Sequence, residues 1–243
     1  MPKTAAALII GNEILTGKIQ EENVAFLARE LFGLGVVLRR VVVCPDEMDV
    51  IVRDLDALRA EHDVVITSGG VGPTHDDITI DAVARAFGRS VVRSAEVESL
   101  IRGHYGDRVT AGHLRMANMP EGAQLIRNAE LPWPTIHIGN VYVLPGVPAI
   151  FRRKFEAIRP HLRGEIPFVS RAVYTLCDEG EVAALLQRLA VEHPEVTIGS
   201  YPRFRDPEYR VKITFDARDA TAVQAAADAL VDALDPEKVV RVS

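Results

Sequence analysis

Along the first two-thirds of the chain, apolar residues alternate between short continuous runs and stretches spaced by three or four. Ala5–Ile10 is such a run, ending at Gly11; Val24, Leu27, Ala28 and Leu31 then recur at helical spacing until Gly33 and Gly35 interrupt them. Val36–Val43 is a β-branched run closed by Pro45, Val50, Ile51, Leu55 and Leu58 mark a second helix, and Asp63–Thr67 is a third strand. A glycine-rich loop leads into a helix carrying Ile80, Val83 and Phe87. Strand, helix, strand, helix, strand, helix in this rhythm predicts a mostly parallel sheet covered by helices on both sides. Between Ser94 and Pro134 the pattern breaks into helical patches and the polar, proline-interrupted stretch Asn118–Gly122. His137–Leu144 predicts a hairpin turning at Gly139-Asn140, the helix after Pro148 buries Phe151, Phe155 and Ile158, and Arg159–Gly164 reads as a linker.

Beyond that point the rhythm changes. Phe168–Leu176 is a strand, Val182, Leu185, Leu186 and Leu189 mark a helix, and Val196–Ser200 and Tyr209–Phe215 are strands flanking a Pro/Arg-rich loop. Val223, Ala226, Leu230 and Leu234 give a last helix before the short strand Val239–Val242. The order β-α-β-β-α-β is a split βαβ unit. The expected organisation is therefore an α/β domain over residues 1–165 and a small α+β subdomain over residues 166–243, which suits a chain of 243 residues.

Composition narrows the class. With 48% apolar and 26% charged residues the chain has ample material for a core, which excludes a disordered, collagen-like or coiled-coil protein. Its 28 basic against 34 acidic residues leave a net charge of −6, without the basic surplus of a nucleic-acid-binding protein. No apolar run approaches the roughly 18 residues of a spanning helix, and Ala5–Ile10 is too short for a secretory signal. A cytoplasmic protein with no membrane partner is expected. The two cysteines, Cys44 and Cys177, support neither a disulfide framework nor a four-ligand zinc site and read as buried thiols.

The strongest local signal is Thr67-Ser68-Gly69-Gly70-Val71-Gly72-Pro73-Thr74-His75-Asp76-Asp77. Three glycines in four positions, after a buried strand and before a helix, let the backbone approach a ligand. Free amides and the helix N-terminus then make a seat for phosphate, at the carboxyl end of the strands where open α/β sheets bind ligands. The competing reading is a tight turn in which Thr74 caps the helix and Asp77 completes the capping pair. Adjacent carboxylates would repel a phosphate unless a divalent cation bridges the two; one of Asp76 and Asp77 is then a cap and the other a metal ligand, with Asp77 preferred. Asp46 starts a helix at the end of the second strand, as an N-cap or as a second carboxylate facing the same ligand. Gly11-Asn12-Glu13 closes the first strand on that edge, with Glu13 either a third acidic group or a surface residue. Leu144-Pro145-Gly146-Val147-Pro148 is a further strand-to-helix corner with Pro148 in the first helical turn. His75 contacts the phosphate or is simply solvated.

Other motifs fail. Gly11 through Lys18 has the wrong spacing for a P-loop and Ile19 where Ser or Thr is required, and no GxGxxG follows a strand. Ser68 lacks the flanking glycines of a nucleophile elbow.

Together, the TSGGVGPTHDDIT segment, Asp46 in Cys-Pro-Asp-Glu, Gly11-Asn-Glu-Ile-Leu-Thr-Gly and Leu-Pro-Gly-Val-Pro resemble the MoaB/Mog molybdopterin-binding domain over roughly residues 3–165. The likeness is to its CinA amino-terminal and FAD-synthase amino-terminal branch. It implies a three-layer α/β/α sandwich whose ligand loop comprises Gly11, Asn12, Glu13, Ser68, Gly69, Gly70, Gly72, Pro73, Thr74, His75, Asp76, Pro145 and Gly146. Asp46 and Asp77 are then implied as catalytic and metal-binding carboxylates. The activity implied is hydrolysis of the pyrophosphate bond of a dinucleotide such as FAD or ADP-ribose, with magnesium or cobalt and possibly potassium and no organic prosthetic group. Adenylylation of molybdopterin in molybdenum cofactor assembly, and a non-catalytic pterin- or nucleotide-binding module, are the alternatives. The family also implies a homo-oligomer, dimer or trimer. The GPTHDD spelling is closer to the FAD-synthase branch. Neither the deamidase domain of full-length CinA nor the FAD-forming domain of FAD synthase is present in this sequence. Residues 166–243 stand where CinA has a KH-like segment, but they contain no GxxG, so RNA binding is not expected.

Overall fold

The uninterrupted apolar segment near the start of the chain takes an interior position in the larger sheet, one strand in from its edge. In the computed structural model, which describes residues 3–128, 131–164, 166–204 and 207–243, strand β1 (Thr4–Ile10) is buried along nearly its whole length. It runs parallel to β2 (Val37–Cys44) on one side and to β3 (Val64–Ser68) on the other. Its side chains alternate between two cores. Ala5, Ala7 and Ile9 meet Leu27 and Leu31 of α2 (Asn23–Gly33) and Phe151, Phe155, Ile158 and Leu162 of α7 (Pro148–Leu162). Ala6, Leu8 and Ile10 meet Ile51, Leu55 and Leu58 of α3 (Met48–Glu61) and Ala82 and Val83 of α4 (Thr79–Ala86). Helix α1 (Asn12–Leu15) is a single turn at the end of β1. The result is the three-layer α/β/α sandwich.

The six-stranded sheet has the order β2-β1-β3-β8-β7-β6, with β6 (Gln124–Asn128), β7 (Leu131–Ile138) and β8 (Val141–Leu144). Its first three neighbour pairs are parallel and the last two antiparallel. The change of sense comes from the hairpin at Gly139, whose φ of 57° the turn requires. The segment that sequence pattern left irregular holds a two-stranded antiparallel ladder of β4 (Val91–Arg93) and β5 (Asn118–Pro120). Helices α5 (Ala95–Tyr105) and α6 (Ala111–Arg115) lie between its strands.

One expectation is corrected. Arg159–Gly164 is not a free linker: α7 (Pro148–Leu162) runs through most of it, Leu162 is wholly buried, and the Gly164 amide donates to the Leu34 carbonyl at 2.8 Å. Leu162 continues the apolar spacing of Phe151, Phe155 and Ile158, and that packing holds the last turn despite Pro160 within it.

The chain divides into two compact units, Met1–Glu165 and Ile166–Ser243. In the second, β9 (Val169–Thr175), β10 (Thr197–Pro202), β11 (Val211–Ala217) and β12 (Val239–Val242) form an antiparallel sheet in the order β10-β11-β9-β12. Helices α8 (Glu179–Glu192) and α9 (Ala220–Ala233) supply Val182, Leu189, Val223 and Leu230 to a core shared with Val173, Val211, Ile213 and Phe215. This is the split βαβ arrangement. Among the described residues no helix is long and apolar enough to cross a membrane, and Cys44 and Cys177 are both buried and free.

Candidate functional site

The carboxyl ends of β1, β3 and β8 meet at one corner, and glycine makes the meeting possible. Gly69 is buried at φ 106° and donates its amide to the Leu144 carbonyl at 3.2 Å; a β-carbon there would run into the Ile10 carbonyl oxygen. Gly70, at φ 65°, lies so close to Thr79 that a side chain would displace its hydroxyl. At Gly146 a β-carbon would touch the Cα of Gly69 at 3.4 Å, so the second corner lies directly against the first. Thr79 opens α4 and turns inward, its amide donating to the Gly70 carbonyl at 3.0 Å and its hydroxyl to the Gly69 carbonyl at 2.8 Å. The helix N-terminus is thus engaged by the loop itself. The amides of Gly70, Val71 and Gly72 have no acceptor among the described residues, and unengaged loop amides of this kind can bind an anion.

The carboxylates divide. The Asp77 carboxylate accepts both the amide (2.8 Å) and the hydroxyl (2.6 Å) of Thr74. That pairing closes a turn five residues ahead of α4 and is not the helix cap that its spacing suggests. A β-carbon on Gly72 would stand 2.7 Å from the Asp77 carboxylate oxygen, so a side chain there would push that carboxylate aside. Asp46 does not cap α3, whose boundary residue is Glu47; it accepts the Asn12 amide at 2.8 Å and fastens the end of β2 to the Gly11–Asn12 turn. Glu13 is exposed with its carboxylate folded against Gly11. Pro73, Asp76 and His75 are exposed too, His75 almost fully (99%), with the imidazole 3.8 Å from the Asp76 carboxylate. Cys44, at the same strand end, is no nucleophile: burial, reinforced by Asp54 and Asp46, pushes its thiol up to about 12.

Asp77, Gly72, Val71 and Pro145 line a cavity of about 290 Å³; Asp46 is not among its lining residues. Trp133, Tyr105, His104 and Lys154 line it as well, together with apolar side chains that include Val97, Ile136 and Val143. The His104 ring meets Trp133 edge-on at 5.6 Å. No cluster of three or more His, Cys, Asp or Glu side chains able to hold a metal ion occurs among the described residues.

Three residues that motif reading passed over organise this site. Asn23, first in α2 and only 3% exposed, donates its side-chain amide to Ser68 Oγ at 2.9 Å and to the Gly146 carbonyl at 2.8 Å, tying the two corners together. Glu21 caps the helix in its place through the Asn23 and Val24 amides. Arg115 donates to the Thr74 and Asp77 carbonyls at 2.9 and 3.3 Å and braces the turn that carries Asp77. Lys154 donates to the Trp133 and Pro134 carbonyls. Asn23 looks like a helix cap in sequence, and Arg115 and Lys154 lie far from any glycine motif.

A three-layer α/β/α sandwich with a cavity at the carboxyl ends of its parallel strands is the architecture of a small-ligand-binding domain. Residues 6–164 match the family described as a probable molybdopterin binding domain, and the chain belongs to it. Residues 167–243 match the FAD synthase middle domain. A protein of Archaeoglobus fulgidus is 32% identical over 231 residues, 94% of this chain and 97% of its own. A probable FAD synthase of Caenorhabditis elegans is 30% identical over 262 residues, and a CinA-like protein of Syntrophus aciditrophicus is 34% identical over 232. Those matches take in 96% and 90% of this chain but only 50% and 55% of the two relatives, so it spans about half their length. Among solved structures, the protein CinA of Thermoplasma acidophilum superimposes with a TM-score of 0.61 at 31% identity, over 66% of this chain and 98% of that one.

Proposed function

We propose that this chain hydrolyses the diphosphate bond of a dinucleotide such as FAD or ADP-ribose, with one ring in the cavity and the diphosphate along the glycine loop. The observation that carries this reading is the junction at Gly72: Val71 and Gly72, whose amides are unengaged, and Asp77 border the same aromatic-walled cavity. The match of the second unit to the FAD synthase middle domain favours a flavin dinucleotide among the possible substrates. In the reaction a water oxygen bonds to one phosphorus, the bridging P–O bond breaks, and FAD yields AMP and FMN. The Gly70–Gly72 amides stabilise the negative charge on the phosphate oxygens, and the closed Asp77–Thr74 turn orients the carboxylate. An all-oxygen donor set of one or two carboxylates fits magnesium, which takes the rest of its shell from substrate phosphates and water. Asp77, with neighbouring Asp76, would hold such a cation, which supplies charge neutralisation and a more acidic bound water. Asp46 keeps the Asn12 turn in place.

The test is release of AMP from FAD, ADP-ribose and NAD with magnesium or cobalt. Asp77→Ala is expected to lose on the order of 100-fold or more in rate; AMP release that survives it would remove the assignment. Adenylylated product from ATP and molybdopterin would move the chemistry to a transferase. Tight, metal-independent binding without turnover would make the chain a binding module.

A further inference from the structure

Lys154 has a position that packing alone does not explain. It sits on the cavity-facing side of α7, partly buried, and its ammonium donates to the carbonyl oxygens of Trp133 at 3.2 Å and Pro134 at 2.6 Å. An ammonium carries three N–H donors, so one remains for whatever enters. The other charged or titratable groups around the cavity are Asp77, Asp81, His104, Tyr105 and Arg115. Asp77 is engaged by Thr74, and the Arg115 guanidinium is spent on backbone carbonyls. Burial lowers the Lys154 amine from 10.5 to about 8. A cation held in an apolar cavity by two carbonyls, beside a tryptophan, is suited to a flat ring that brings an acceptor of its own.

We propose that Lys154 selects the ring end of the substrate, its free N–H meeting a carbonyl oxygen on a flat heteroaromatic ring laid against Trp133. Of the two rings of FAD, the flavin carries carbonyl oxygens on its polar edge, whereas adenine presents an exocyclic amine beside its ring nitrogen. An ammonium is a donor only and matches the first edge better than the second. The flavin therefore enters the cavity and the adenosine end points outward. The inference rests on the dinucleotide reading above but is tested by binding, without turnover.

FMN and AMP serve as separate probes of the full chain, FMN followed by its fluorescence. Wild type is expected to bind FMN more tightly than AMP. Lys154→Met should weaken FMN by about 10-fold or more, the worth of a charged hydrogen bond, with AMP unchanged, and Lys154→Arg should restore part of the loss. FMN affinity of the wild type should fall from pH 7 to pH 9 and that of Lys154→Met should stay level. If Lys154→Met melts at pH 7, the wild-type pH profile and Lys154→Arg carry the test. FMN binding indifferent to Lys154→Met and to pH, AMP affinity falling in place of FMN, or no wild-type binding of FMN would each overturn the proposal. FAD hydrolysis, assayed separately, tells the two ideas apart: turnover with Lys154-independent FMN binding sinks only the ring assignment. Lys154-dependent binding without AMP release sinks only the hydrolase.

Discussion

The glycine corner and the aromatic wall border the same cavity but are built from different materials. The corner is backbone against backbone: Gly69 against the Ile10 carbonyl, Gly146 against Gly69, and Thr79 bonded to the loop's own carbonyls. The wall is side chains, Trp133, His104, Tyr105 and Lys154, gathered from α5, β7 and α7. A backbone junction tolerates almost no change, because no rotamer can absorb an added atom. A side-chain wall can be altered while the fold survives. On the proposed function, the corner would hold what any dinucleotide has, its diphosphate, and the wall would tell one ring from another.

The largest expected effect lies in the corner. Gly69→Ala places a methyl group on a residue at φ 106° and against the Ile10 carbonyl oxygen at the end of β1. Strain and overpacking together should cost about 3–5 kcal/mol, a large part of the stability of a typical domain. Urea unfolding would show a lowered midpoint. A loss below about 1 kcal/mol would mean that the corner yields, and the comparison with the wall would fail.

Asn23 gives the next largest effect and ties the corner to α2. Asn23→Ala removes the donor shared by Ser68 and the Gly146 carbonyl in a buried site, a loss of about 2–3 kcal/mol. Because the two corners would no longer be joined, affinity for the diphosphate part, measured with ADP-ribose, should fall along with stability. FMN affinity, governed by the wall, should fall less. Equal losses for both ligands would erase the division between corner and wall.

This division also marks what could be read without coordinates. The corner announces itself because Gly69, Gly70 and Gly72 stand between a buried strand and a helix, and backbone requirements leave such signatures. The strands β1 and β3 are legible for the same reason, since strands buried on both faces must be continuously apolar, whereas the edge strand β2 shows through its β-branched residues although it is largely exposed. Two details of the corner were not legible. Thr74 and Asp77 have the spacing of a helix cap, yet they close a separate turn because Thr79 is drawn back onto the Gly69 and Gly70 carbonyls. Asp46 has the position of a cap, yet it bonds to Asn12, a partner 34 residues away that only the pairing of β1 with β2 brings near. The wall left no local trace at all. His104, Trp133 and Lys154 come from three segments, and their proximity depends on how α5 and α7 pack over β7, which no short-range periodicity encodes.

The smallest effect, and the sharpest test of the wall, is the pH dependence of folding. In the unfolded chain Lys154 releases its proton near 10.5, and in the folded protein near 8. Between those values the unfolded state binds more protons, so stability rises with pH through the window. Below pH 8 both states are charged and the cost of burying the cation is present in full; above 10.5 it is gone. A shift of this size would correspond to about 3 kcal/mol at complete burial, and partial exposure to solvent reduces the expectation to about 1–2 kcal/mol. Cys44 acts in the opposite direction. Its thiol is raised from 9.0 to about 12, so the stability it contributes is lost as pH climbs beyond 9. The interval from pH 8 to pH 9 therefore favours Lys154, and the difference between wild type and Lys154→Met isolates it. Wild type should gain stability there relative to the methionine variant, while its affinity for FMN falls. Opposite signs for folding and binding from one proton are expected of a cation kept in the cavity for its ligand. A cation with a merely structural role would leave the binding curve flat.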